Sequence, residues 1–145
     1  FYAGNVDNVR FDNITLRGTS SGMAIKSLAP FVGEARNISF TNIVLEEVEI
    51  AMAFNFFHQG SSSSGKTDEH RVGATALSVL IENVTGTVRT SAGHIDCLGT
   101  APCRDVRMVN VNLGKETNGY DCMNVSGTYE NCSPVPCGWS EKKVI

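Results

Sequence analysis

Cysteine is missing from the first 96 residues, and all five cysteines (Cys97, Cys103, Cys122, Cys132 and Cys137) crowd into the remainder. None stands at the Cys-x2-Cys spacing of a zinc knuckle, so neither a metal nor a cofactor is expected. Positive charge is not in excess: 12 Lys and Arg face 15 Asp and Glu, a net charge of -3. The chain therefore has no basic footprint for nucleic acid. Long apolar runs are missing too. The stretch "IAMAF" (50–54) is far short of the roughly 20 residues a spanning helix needs, so no membrane partner is expected. "SSSSG" (61–65) lacks the glycine and lysine spacing of a phosphate-binding loop. No stretch sustains a helical period. What is present suffices for one ordered domain: 145 residues, 41% hydrophobic and 19% charged, a balance that excludes disorder.

The strongest positive signal is a repeat. "NVRFDNITL" (8–16), "NISFTNIVL" (37–45), "SVLIENVTG" (78–86) and "DVRMVNVNL" (105–113) share one template: apolar, x, apolar, x, Asn, apolar, x, apolar. Asn13, Asn42, Asn83 and Asn110 form one column, at intervals of 29, 41 and 27 residues. Each unit runs on into a second short strand: "GMAIKS" (22–27), "EIAMAFNF" (49–56), "AGHIDC" (92–97) and "DCMNVSG" (121–127). Short strands with polar corners at this period predict an all-β, right-handed parallel β-helix of about four coils, whose apolar residues stack into one core. An Asn repeated at one corner can adopt the left-handed backbone that most residues avoid. An antiparallel sandwich would need hairpin turns every eight to twelve residues, yet the chain holds a single Asn-Gly, at Asn118-Gly119. Residues 1–145 thus read as a single β-helix domain. The long second interval contains a polar loop insertion at 58–73, and 122–145 forms a cysteine-rich tail.

Five Asn-x-Ser/Thr sequons, at Asn13, Asn37, Asn83, Asn124 and Asn131, accompany the clustered cysteines. Together they predict a secreted, disulfide-bonded chain, extracellular or in a cell wall. If the Asn column faces inward, Asn37, Asn124 and Asn131 are the better glycan acceptors. The chain begins at Phe1 rather than Met, which reads as a processed chain or a fragment.

Four stretches, in order, resemble the C-terminal part of plant-type polygalacturonases, glycoside hydrolase family 28, with the fold of pectin-lyase-like solenoids. "NVRFDNITLRGTSSGMAIKS" is similar to the segment ending in the family's Gly-x-Arg-Ile-Lys strand, and "ARNISFTNIVLEEVEIAMAF" to the coil after it. "SAGHIDCLGTAPCRDVRMVNVNL" resembles the Cys-x5-Cys segment with its following strand, and "YDCMNVSGTYENCSPVPCG" the family's ending. The resemblance implies hydrolysis of α-1,4-galacturonan in pectin with inversion. That reaction needs one carboxylic acid for the leaving oxygen and one carboxylate base for a water. The family draws these from Asn-Thr-Asp and Asp-Asp motifs, supported by Gly-His-Gly; none of the three occurs in this chain. No catalytic residue is therefore expected here. The chain alone should be inactive, and a missing N-terminal β-helix segment is the expected partner besides pectin or a related polysaccharide.

Lys26 is the residue the resemblance singles out, as the family's uronate-binding lysine. Its companion arginine is replaced by Ala24, so a point charge stands where a bidentate fork would be. The plain alternative for Lys26 is a solvated strand lysine. His58 falls near a family tyrosine and is the second candidate sugar contact, although an exposed loop histidine needs no role. His70, in the same loop, and His94, beside a strand, have no identifiable partner. Asp96 ends a strand as a lone carboxylate, and Glu46, Glu47 and Glu49 read as an acidic corner. The resemblance pairs Cys97 with Cys103 and Cys122 with Cys137. Cys122–Cys132 is the alternative, which leaves Cys132 or Cys137 as the odd thiol. Two rival functions stay open: a degenerate, non-catalytic β-helix that binds polysaccharide or protein, and a purely structural solenoid.

Overall fold

The computed structural model describes residues 4–28, 31–58, 73–114 and 117–142, without the side chains of residues 28, 57 and 58. Every described element is a strand: β1 (Val6–Arg17), β2 (Ser21–Leu28), β3 (Gly33–His58), β4 (Ala74–Asp96), β5 (Cys103–Asn112), β6 (Asn118–Met123), β7 (Val125–Ser133) and β8 (Ser140–Glu141). All seven strand pairings are parallel. One antiparallel contact exists outside the strands, the bridge Leu98–Ala101. The chain is a parallel β-helix, and the antiparallel sandwich is excluded.

The coils can be read from the pairings. β1 and β2 form the first, β3 the second, β4 the third, and β5 with β6 the fourth. β7 then opens a fifth on β5, and β8 lays two residues on β7. The expected strand at 121–127 is split. β6 stops at Met123, Asn124 takes a left-handed φ of 51°, and Val125 begins the next coil. Of the expected loop at 58–73, His58 ends β3 and pairs with Leu28. Residues 59–72 lie outside the described residues.

Parallel stacking puts each residue over its counterpart one coil away. Phe11, Phe40, Ile81, Met108 and Tyr129 form one register column, and Ile14, Ile43, Val84, Val111 and Cys132 another. On the second side Ile25, Phe54, Ile95 and Cys122 align. The inner members of these columns are fully buried, so the core is a continuous stack rather than a layer between sheets. Phe11 and Phe40 stack flat, centroids 4.9 Å apart with 7° between planes, an arrangement that adds to area burial. Gly93 occupies φ +125° where a Cβ would come within 2.0 Å of the Met52 carbonyl oxygen. Only glycine fits that corner.

The Asn column faces solvent, which removes the premise that an inward column would exclude glycans. Asn13, Asn42, Asn83 and Asn110 all have φ between 53° and 57° and exposed side chains. Asn131, absent from the sequence-derived column, is its fifth member at φ 49°. The carboxamides form a ladder. Asn131 donates to Asn110 at 2.8 Å, Asn110 to Asn83 at 3.3 Å, Asn83 to Asn42 at 3.2 Å, and Asn42 to the Asp12 carboxylate at 2.8 Å. A second left-handed column, unseen in the sequence, holds Asn8, Asn37, Ser78 and Asp105. There Asn37 donates to Asp7 and Ser78 to Asp105.

Asn83 tests the two roles of the column separately. Asn83→Gly keeps the corner conformation but loses both ladder bonds, a loss of about 1–2 kcal/mol. Asn83→Ala keeps the Cβ but loses the carboxamide that lets asparagine tolerate the left-handed region, adding about 1 kcal/mol. Urea unfolding should rank wild type above Gly above Ala; equal losses would mean the corner conformation contributes nothing. Asp12, at the ladder's top, accepts from Thr41 and Asn42, which holds its carboxyl below the usual 3.8. A carboxyl lowered on folding stabilises above its unfolded pKa, and that stabilisation is lost as pH falls through the folded value. The gap in urea midpoint between wild type and Asp12→Asn should therefore be open at pH 6 and close toward pH 2. A gap constant over that range would contradict the ladder's electrostatic anchor.

Candidate functional site

Alternation along β2 decides which face could meet a ligand. Met23 is buried and Ile25 packs against the core, so Ala24 and Lys26 point outward, and both are exposed. The register carries these outward positions into the coils below, where Ala53 is buried and Asn55, His94 and Asp96 are half-buried. Lys26 stands in register with Asn55, Asp96 and Met123, and Ala24 with Ala53, His94 and Asp121. His94 therefore lies within β4 rather than beside a strand. The outward face of the second strands is thus a strip along the solenoid axis: one cation on the first coil, an amide on the second, and histidine and carboxylates on the third and fourth. Lys26 makes no ion pair or hydrogen bond with any described residue. That leaves its ammonium available to an anion.

A cavity of about 320 Å³ opens beside Lys26. Its lining joins inward apolar residues, among them Phe11, Ile25, Phe40 and Phe56, to the polar Lys26, Ser27 and Glu34 at the rim. It is the open mouth of the solenoid's core. Val6 and Phe11 on this first coil are 52% and 41% exposed, whereas Ala76 in the Val6 column and Phe40, Ile81 and Met108 below Phe11 are buried.

The other sequence-derived residues fall as follows. His58 ends β3, and its side chain, like all of His70, lies outside the described residues. Cys97 is bonded to Cys103 and Cys122 to Cys137, leaving Cys132 as the free thiol; the Cys122–Cys132 alternative is excluded. Asn124 donates to the Cys97 carbonyl at 2.9 Å, Asn37 and Asn131 are bonded in the two corner columns, and all three are exposed. Glu46 binds Arg17, and Glu47 meets Thr87, so that acidic corner is a structural joint. Among the described residues no three His, Cys, Asp or Glu side chains are grouped to hold a metal ion. The sequence missed the alignment of His94 and Asp121 under Ala24. The quoted second-strand segments contained that signal, but their register could be fixed only once the coils were stacked.

The solenoid, its corner asparagines and the outward lysine converge with a family comparison. The model of glycosyl hydrolases family 28 matches residues 2–135. The chain belongs to glycosyl hydrolases family 28. A probable polygalacturonase of Arabidopsis thaliana is 28% identical over 129 residues, covering 84% of this chain and 28% of its own length. A polygalacturonase of Prunus persica is 30% identical over 139 residues, 91% of this chain and 34% of its own. A probable endopolygalacturonase A of Aspergillus niger is 28% identical over 122 residues, 83% and 32%. The chain thus spans about a third of the length of the curated family 28 relatives it matches. No solved structure matches it significantly.

At the opposite end of the core, Tyr120, Tyr129, Trp139 and the Cys122–Cys137 bridge pack on the last full coil. Trp139 lies against Gly127, where a Cβ would meet its ring at 2.9 Å. Cys132 sits in this plug with its sulfur 3.3 Å from the Glu130 carbonyl and 3.6 Å from that of Met108. Burial pushes the Cys132 thiol up, and burial, then the nearby Cys132, pushes the Tyr120 phenol up further. A protonated thiol is a poor nucleophile. Cys132 should react with a disulfide reagent at neutral pH about tenfold or more slower in the folded chain than after denaturation. Equal rates would show that the plug does not form.

Proposed function

We propose that this chain is the C-terminal portion of a secreted pectin-degrading hydrolase that cleaves α-1,4-galacturonan with inversion. The observation that carries the reading is Lys26: an exposed cation, unpaired among the described residues, on the outward face of a family 28 β-helix. In this reading its ammonium holds a uronate carboxylate, and the strip beneath it forms part of the sugar cleft. The chain also supplies the lower end of the solenoid, from the fourth coil to the tryptophan and disulfide plug. The plug's disulfides suit an oxidising compartment. The described residues form one continuous β-helix domain, with 59–72 inserted between coils and the tail after Cys122 tied by its bridge.

The acid and base belong to coils outside this chain, which holds no adjacent aspartates and no Asn-Thr-Asp. Two findings support such a partner segment. The relatives are about three times as long as the matched region, and the first coil presents Val6, Phe11 and an apolar mouth that a further coil would cover. An unpaired coil edge also exposes backbone donors and acceptors that favour strand pairing.

Ala24 in place of the family's arginine favours a second reading, a degenerate hydrolase that binds polysaccharide without cleaving it. The two differ in the partner segment: paired aspartates there make the assembly an enzyme, and their replacement makes it a binder.

The test is direct. Incubated with polygalacturonate, the chain alone should release no reducing ends, and any release would overturn the proposal. In titration calorimetry with galacturonate oligomers, Lys26→Ala should bind about fivefold more weakly, equivalent to about 1 kcal/mol. Binding unaltered by that change would leave only a structural solenoid.

A further inference from the structure

The strip below Lys26 changes sign along the axis. Lys26 is on the first coil, Asn55 on the second, His94 and Asp96 on the third, and Asp121 on the fourth. Neighbouring coils are separated by the strand spacing of about 4.8 Å, close to the length of one hexose unit. Successive sugars of a chain lying along the strip therefore face successive coils. The sugar at Lys26 meets a cation. The sugar two to three units further on meets the half-buried His94 and the exposed Asp121, whose carboxylate has no ion-pair or hydrogen-bond partner among the described residues.

Resting on the reading of this face as a sugar cleft, we propose that the strip selects pectin with an uneven charge pattern. It takes a free uronate at Lys26 and an uncharged unit, a methyl-esterified uronate or a neutral sugar, over His94 and Asp121. A second uronate there would set two carboxylates against each other with no Lys or Arg paired to Asp121 among the described residues, a repulsion that disfavours binding and fixes which sugar sits where. An esterified or neutral unit removes the charge and keeps the hydroxyls, which Asp121 can accept from and the His94 imidazole can either donate to or accept from. Lys26 and Asp121 thus act as opposite ends of one ruler. The cation attracts the free acid, and the carboxylate excludes it.

The experiment is calorimetric titration of the chain with three defined oligomers of equal length: fully unesterified, partly methyl-esterified and fully methyl-esterified galacturonan. Wild type should bind the partly esterified oligomer about threefold or more tighter than the unesterified one. Asp121→Asn should remove that preference by tightening the unesterified oligomer relative to the partly esterified one. Lys26→Ala should weaken both oligomers that carry free acid. If Lys26→Ala weakens binding while Asp121→Asn leaves the ratio untouched, the selection proposal fails and the cleft reading stands. If neither change alters binding, or wild type binds none of the three, the cleft reading falls and this proposal falls with it.

Discussion

In-register parallel stacking governs this molecule. A residue's most important neighbour is the one occupying the same position one coil away, about 4.8 Å along the axis. Phe40 lies between Phe11 and Ile81, Ile95 between Phe54 and Cys122, and Asn83 between Asn42 and Asn110. Each apolar column buries its members only if the coils stay aligned. A slip of one residue would turn Phe40 and Ile81 outward and bring Thr41 and Glu82 into the core. Hydrophobic burial and register are therefore one constraint, and the corners have to enforce it. Left-handed backbone at Asn13, Asn42, Asn83, Asn110 and Asn131 turns every coil at the same point, and the ladder of carboxamide bonds ties those points together on the outside.

The same constraint explains why the chain tolerates unequal repeats. Asn42 and Asn83 are 41 positions apart, and Asn83 and Asn110 are 27 apart, yet both pairs are hydrogen-bonded neighbours. The extra residues fall in sequence between His58 and Ala74, and Gly33 to Asn55 pair in register with Ala74 to Asp96 on either side of them. Loop length enters the closure entropy only logarithmically, so an insertion between coils leaves the columns intact. Function can therefore vary in the insertions and on the outward face while the core stays periodic.

Most of the fold was legible because its unit is short and local. The apolar-x-apolar-x-Asn template contains both the inward alternation and the corner residue, and four copies were enough to predict the stack. Asn131 escaped because "TYENCS" offers Tyr129 and Cys132 where the template has aliphatic residues. The second corner column escaped because Ser78 and Asp105 share a backbone conformation with Asn8 and Asn37 but not a side chain. Lys26 was singled out through family resemblance alone; composition cannot tell a substrate cation from a solvated one. The strip beneath it was not legible. His94 and Asp121 come under Ala24 only after the coil between them is closed, and the sequence does not state how many corner residues each coil spends.

The two ends of the core differ physically, and that difference orients the molecule. One end is closed by large side chains, Tyr120, Tyr129 and Trp139, with Gly127 making room for the indole and a disulfide holding the tail across them. At the other end Phe11 tops its column among the described residues, with one face against Phe40 and 41% of its surface exposed. Burying an aromatic face is worth more than anything the exposed corner bonds supply, so the open end is the energetic incentive for a further coil to stack. Lys26 lies on that first coil. A coil stacked there would complete the core above Phe11 and, by the same register rule, place its own outward residues directly above Lys26. On the proposed reading of Lys26 as a sugar contact, such stacking would extend the core and the cleft together.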